Sequence, residues 1–369
     1  MLFEYFFITN YPKGSWKICE HIPSPADRPA EWRKVKKAED LPRDIGTMTY
    51  DPSLFLSPPM PRIIPHLWYD KEAKEAASFY ASVFPDSKVT HEDVLTGTPS
   101  GDCDIVSFEV MGQEFMAISA GPYFTFNPSI SFMINFDPSQ DEHAEKNIDA
   151  VWNKLAEGGQ VLMPIQEYPF SKRYGWIQDK FGLSWQLILT NPEGEERPRV
   201  MPSLLFVGDK CGKAEEAINM YVSVFEDAKK GAMVKYPAGH PSEKEGNVMF
   251  ADFRLLDVWI VAMDSGLKEH KFTFNEAVSL LVQCDTQEEI DHYWSKLSAV
   301  PEAEQCGWLK DKFGVSWQVS PAAMTEMLAS GDKEAKDRVT QAFLKMKKFD
   351  LGEWEGAFGG GNKDDVKLV

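Results

Sequence analysis

Cysteine is scarce in this chain: five residues in 369 (Cys19, Cys103, Cys211, Cys284 and Cys306), an odd number. None sit at metal-knuckle spacing. A disulfide-stapled scaffold and a cysteine zinc site are therefore excluded, and the thiols read as reduced, in a cytoplasmic protein. Positive charge is also short. Lys and Arg number 39 against 57 Asp and Glu, a formal net charge of −18. Such a surface repels phosphate backbones, which argues against nucleic acid as a partner. Long apolar runs are missing. The opening MLFEYFFITNY is apolar for only about eight residues with no basic segment before it, so neither a membrane span nor a signal peptide is expected. Nucleophile chemistry has no anchor either. No G-x-S-x-G elbow exists, and no cysteine has a histidine at a recognisable spacing. GGG at 359–361 lacks a following Lys-Ser/Thr, so it is not a phosphate loop.

What the chain does contain is a duplication. GWIQDKFGLSWQL at 175–187 returns as GWLKDKFGVSWQV at 307–319, identical at nine of thirteen positions. EAASFYASVF at 75–84 answers EAINMYVSVF at 216–225, and FTFNPSISFMINFD at 124–137 answers FTFNEAVSLLVQCD at 272–285. The order is kept, so two copies of one domain lie in tandem, at 61–193 and 201–322. Residues 1–60 stand outside the repeat, rich in proline, and read as an extension or docking arm of unassigned role. A C-terminal segment, 323–369, carries a helix over 332–348 and ends in GGGNKDDVKLV, a disordered tail by composition.

Within the first copy, IIPHLWY at 63–69 reads as a strand. A helix follows, with Ala73, Ala76, Ala77, Tyr80, Val83 and Phe84 on one face. Three strand-like runs come next, near 88–95, 104–111 and 114–120. The unit is β-α-β-β-β. The second half repeats it, from the strand at 129–136 through a helix opened by a Ser139/Glu142 capping box. The second copy follows suit, with a Thr286/Glu289 capping box. There SAVPEAEQ replaces the longer segment holding VLMPIQEY, so one strand is expected to be absent.

Paired β-α-β-β-β modules, the run PHLWYDKEAKEAASFYASVF, the FN-x-x-x-S strand and GW-x-x-DKFG-x-SWQ together resemble the PhnB-like group of the vicinal-oxygen-chelate superfamily. That group is often labelled 3-demethylubiquinone-9 3-methyltransferase-like. The resemblance covers 61–345. It implies an α+β fold of two tandem domains, with curved, mainly antiparallel sheets enclosing a small-molecule cavity. Superfamily members include glyoxalase I, extradiol dioxygenases, fosfomycin-resistance transferases and bleomycin-binding proteins, so the fold does not fix the function. The methyltransferase label finds no Gly-rich strand-to-helix turn to hold a methyl donor.

In metal-dependent relatives a divalent ion sits on His and Glu from four strands. The resemblance carries those positions here onto Gln186 and Gln318 on the last strand, and Ser131 and Ser279 on the fifth. The first strand offers His66 in one copy and Ser203 in the other. The fourth offers Met116 to Ser119, or Val261 to Asp264. One imidazole and one amide are a poor cage, so no metal and no other cofactor is expected, with His66 and Gln186 as the weak metal candidates. The same positions suit a hydrogen-bonding cavity. Residues two apart on a strand share a face, which groups His66 with Trp68, Ser131 with Met133, and Ser184 with Gln186. These six are the candidate ligand-binding residues, and His66 is the one candidate acid-base catalyst.

The expectation is a cytoplasmic protein holding a small metabolite in a first-domain cavity. Two other readings stay open. One is a glyoxalase- or dioxygenase-type enzyme with a labile divalent metal. The other is a non-catalytic structural tandem domain. The two copies are expected to pack as an intramolecular pseudo-dimer, and a further homodimer is left open.

Overall fold

The computed structural model describes residues 7–10, 16–19, 61–191, 195–324 and 333–359. Most of the proline-rich extension and the tail 360–369 lie outside the described residues. The chain divides into two units, 1–58 and 59–369. In the first, β1 (Phe7–Asn10) pairs antiparallel with β2 (Trp16–Cys19).

The second unit holds both copies. The first copy runs β3 (Arg62–Tyr69), α1 (Ala73–Val83), β4 (Lys88–Thr98), β5 (Gly101–Val110), β6 (Gln113–Ser119), then β7 (Ile130–Phe136), α2 (Ala144–Ala156), β8 (Gln160–Tyr168), β9 (Ser171–Gln178) and β10 (Ser184–Leu189). The second runs β11 (Val200–Val207), α3 (Ala214–Val224), β12 (Lys229–Lys235), β13 (Val248–Leu255), β14 (Val258–Ser265), then β15 (Val278–Cys284), α4 (Gln287–Leu297), β16 (Trp308–Lys310) and β17 (Ser316–Pro321). A 3-10 turn, Pro301–Ala303, stands where the first copy has β8. Two C-terminal helices come last, α5 (Lys333–Phe343) and α6 (Leu351–Phe358).

The strands form an eight-stranded sheet, β12-β13-β14-β11-β7-β10-β9-β8, and a seven-stranded sheet, β16-β17-β15-β3-β6-β5-β4. Each sheet joins one module of the first copy to one of the second. The seam of the smaller sheet is β3 against β15, with His66 opposite Ser279. The seam of the larger is β11 against β7, with Ser203 opposite Ser131. The duplication makes these two pairs equivalent, so the copies meet as a pseudo-dimer. The FN motifs close the same symmetry: Asn127 Nδ2 donates to the Thr273 carbonyl, and Asn275 Nδ2 donates to the Thr125 carbonyl.

The helices pack where their periodicity aims them. Ala73, Ala76, Ala77, Tyr80 and Val83 are buried on α1, and Ala214, Ala217, Ile218, Tyr221 and Val224 on α3. Trp185 and Trp317 are fully buried; Trp185 packs on Tyr80 and Phe84, and Trp317 on Tyr221 and Phe225. Two carboxylates clasp this core. Asp179 sits in the β9–β10 turn of the larger sheet and accepts from Tyr80 on α1, which belongs to the smaller. Asp311 accepts from Tyr221 in the second copy in the same way. The apolar core between the sheets thus belongs to each copy, while the sheets themselves are shared.

Two local expectations need correction. Helix α2 starts at Ala144, with no side-chain cap from its N-cap, His143, so Ser139 and Glu142 form no capping box. Asp141 takes up the helix entry instead, accepting from His143 N and Asn147 Nδ2. The C-terminal helix ends at Phe343, short of 348, because the backbone after it turns to pair with the edge beside β16. Met346 and Lys347 carbonyls accept from Cys306 N and Gly307 N. That segment covers the edge that β8 covers in the first copy. Gly307 permits the approach: it has φ +84°, and a Cβ there would lie 2.6 Å from the Phe349 ring. The Thr286/Glu289 capping box of α4 is present, with both bonds made.

Candidate functional site

The six candidate residues do not converge. His66 and Trp68 lie on β3 of the seven-stranded sheet, whereas Ser131 and Met133 on β7 and Ser184 and Gln186 on β10 lie in the eight-stranded sheet. A cavity formed by the first domain alone is not what the fold builds. The physical reason is the module exchange: each sheet face is completed by the other copy.

The face carrying Gln186 is internally satisfied. Gln186 Nε2 donates to Ser131 Oγ at 2.8 Å and Ser203 Oγ at 3.3 Å, while its carbonyl oxygen accepts from Tyr174 OH at 2.7 Å. Ser184 Oγ accepts from Trp176 Nε1. Beyond this row Met133, Met201 and Ile188 floor a groove of about 940 Å³, with Arg197 stacked 3.8 Å over the Trp259 ring.

The equivalent row on the seven-stranded sheet reads His66, Met116, Ser279 and Gln318. Gln318 Nε2 donates to Ser279 Oγ at 2.9 Å. Two substitutions between the copies change what remains. His66 stands where the other sheet has Ser203, and Cys306 where it has Tyr174. Shrinking a tyrosine to a cysteine removes the phenol that would bond Gln318 and fill the space. The result is a cavity of about 140 Å³ lined by residues of both copies, among them His66, Trp68, Met116, Cys306, Trp308 and Gln318. Phe343 and Phe349 from the C-terminal segment also line it. The missing strand of the second copy would leave this cavity short of a wall; the C-terminal segment supplies one.

The cavity is aromatic-walled. The Trp308 ring lies 5.6 Å from His66 and 5.9 Å from Trp68, both edge-on. Trp68 Nε1 is committed to the Gly121 carbonyl at 2.8 Å. His66 is 7 % exposed, and its Nδ1 is buried without a hydrogen-bond partner among the described residues. Burial pushes its pKa down from the ordinary 6.5 to about 4, so the ring is neutral at physiological pH. A neutral imidazole keeps one donor and one acceptor.

That depressed pKa has a measurable consequence. The unfolded chain binds a proton at this residue below pH 6.5, and the folded chain only below about 4. Stability from His66 is therefore intact above 6.5 and lost as pH falls toward 4. The full loss is about 3 kcal/mol. Urea unfolding at pH 7 and pH 4.5 is expected to show this slope in the parent and lose most of it in His66→Leu. Equal slopes in both would place the ring in a wetter setting.

A divalent metal does not fit the row. Its donors are one imidazole, one thioether, one amide, and a hydroxyl already bonded to that amide; no carboxylate is among them. Among the described residues no group of three His, Cys, Asp or Glu could hold an ion. Asp264, the carboxylate at the fourth-strand position of the second copy, is taken up by Gly212 N and Ala214 N at the start of α3 and by Val248 N at the start of β13. His66, although neutral, has no acid or base bonded to it for catalysis among the described residues. Trp308, Cys306, Phe343 and Phe349 line the cavity and are not among the residues the sequence singles out. The signal for two of them was present in RYGW against QCGW at the head of the duplicated motif.

The family model described as 3-demethylubiquinone-9 3-methyltransferase matches the chain twice, over residues 61–188 and 198–320. Among solved structures, a PhnB protein from Bacillus cereus is 36 % identical, over 34 % of this chain and 98 % of its own, with a TM-score of 0.31. The protein PA1353 from Pseudomonas aeruginosa is 23 % identical over 34 % of this chain and 94 % of its own, with a TM-score of 0.29. Glyoxalase I from Zea mays is 12 % identical over 73 % of this chain and 96 % of its own, with a TM-score of 0.46. No curated protein matches the chain.

Proposed function

The chain belongs to the 3-demethylubiquinone-9 3-methyltransferase family, and we propose that it binds a small neutral molecule in the composite cavity at His66, without a divalent metal. One observation carries this reading: a buried, neutral imidazole whose Nδ1 has no partner among the described residues, beside an aromatic-walled cavity. An unmade hydrogen bond of that kind costs about 1–3 kcal/mol, which a ligand can recover. The size argues for a ring. A dry protein cavity of about 150 Å³ holds benzene, and this one measures about 140 Å³. Methyl transfer is not proposed, since neither the row nor the turns near it offer a place for a methyl donor. Four described cysteines are unpaired, which supports a cytoplasmic location.

The test is calorimetric titration of the full chain with phenol. His66→Leu and Trp308→Ala are each expected to weaken binding about tenfold or more, although they lie in different copies. Ser203→Ala should leave it unchanged. Loss of binding in Ser203→Ala, with His66→Leu unaffected, would move the site to the other sheet.

A further inference from the structure

The two sheets supply an internal comparison. On the eight-stranded sheet the groove is about 940 Å³; on the seven-stranded sheet α5 packs against β4 and about 140 Å³ remains. We infer that α5 is a displaceable plug that sets the size limit of the His66 cavity and opens to admit its occupant. This rests on the small-molecule reading above.

Three side-chain contacts attach α5 to the sheet. Lys336 Nζ reaches Asp93 at 2.9 Å, Thr96 Oγ1 donates to Asp337, and Gln341 Nε2 donates to the Gly97 carbonyl at 3.0 Å. All three partners lie on β4, the edge strand of its sheet, so releasing α5 breaks no strand pairing. The buried face of the helix is modest: Ala335, Val339, Thr340 and Phe343. Thr340 is fully buried, and among the described residues its hydroxyl has no hydrogen-bond partner. A helix docked with an unsatisfied hydroxyl is held less firmly than an apolar face of that size would be.

The segment between α5 and α6 is anchored differently. Met346 and Lys347 pair through backbone with Cys306 and Gly307. Gln287 bonds the Phe349 carbonyl and Leu351 N. Lys348 pairs with Asp291. Those contacts hold the chain at the far side of the cavity. Arg338 of α5 donates to the Ala357 and Phe358 carbonyls of α6, so α5 swings while this segment stays only when those two exposed bonds break as well. Phe343, at the end of α5, and Phe349, in the anchored segment, both line the cavity. The outward movement of α5 therefore removes one aromatic wall and keeps the other.

Cys306 is a built-in reporter, half-buried on the cavity wall. The experiment is labelling of the full chain by a bulky fluorescein maleimide, followed by peptide mass spectrometry, with half-buried Cys211 as the internal control. Lys336→Ala/Asp337→Ala, which touches no cavity residue except Asp93 through Lys336, is expected to raise Cys306 labelling about tenfold and leave Cys211 unchanged. Lys336→Arg should stay near the parent rate. Should the double variant lose its far-ultraviolet circular dichroism, Gln341→Ala reads the same contact more gently. An unchanged Cys306 rate in a folded variant overturns the plug, and so does an equal rise at Cys211. Saturating phenol is expected to slow Cys306 labelling in the parent. If phenol gives no protection while the variants still differ, the ring-sized occupant is wrong and the plug stands.

Discussion

Asp311→Ala lowers the unfolding free energy by at least about 4 kcal/mol, a loss in the exceptional range for a single substitution. Asp311 is fully buried. One carboxylate oxygen accepts from Phe313 N at 2.8 Å and Val315 N at 3.0 Å; the other accepts from Tyr221 OH at 2.6 Å and Trp317 Nε1 at 2.9 Å. Removing the acceptor strands four donors, and a buried unpaired donor costs about 1–3 kcal/mol. Burial pushes the carboxyl pKa up, against the pull of those four donors. Asp179 repeats the arrangement with Phe181, Leu183, Tyr80 and Trp185, and Asp179→Ala is expected to cost as much. Urea unfolding measures both. A loss below about 1 kcal/mol would show that neither clasp holds the sheets together.

Residues 61–193 expressed alone are expected to form a homodimer and not a folded monomer. In the full chain the first copy gives β3 to one sheet and β7 to the other, and the second copy covers both strands. Cut free, each copy exposes two central strands that are buried almost throughout. Such edges pair with whatever strand is offered. A second copy offers β7 to β3 and β3 to β7, which closes the assembly. Sedimentation equilibrium at micromolar concentration reads the outcome. A monomer with native circular dichroism would contradict the shared-sheet architecture. The tandem fusion turns this association into an intramolecular step, which removes its concentration dependence.

The duplication, the four modules and the helix faces are legible in the sequence because each is a local pattern: identical segments kept in one order, and apolar periodicity. The partner of each central strand is not. β3, β7, β11 and β15 all read as apolar runs broken by one of His66, Ser131, Ser203 and Ser279, so pairing β3 with β15 or with β7 satisfies the alternation equally well. His66 and Gln186 therefore group together on sequence grounds, although the fold sets them on different sheets. The clasp at Asp179 is half legible. Turn chemistry marks the residue, but its bond to Tyr80 is a contact over 99 positions. The helix in the C-terminal segment is visible as a periodic face; which sheet it covers depends on the edge left open by the missing strand. The cavity arises from two differences between copies, His66 for Ser203 and Cys306 for Tyr174, and differences show only when the repeats are read against each other.

A ring-sized occupant held between the two copies would be visible in a crystal structure of the full chain soaked in phenol. Ring density is expected between Trp68 and Trp308, with the hydroxyl at hydrogen-bonding distance from a ring nitrogen of His66. Density confined to the groove floored by Met133 and Met201, or a divalent ion seated on His66, would contradict it.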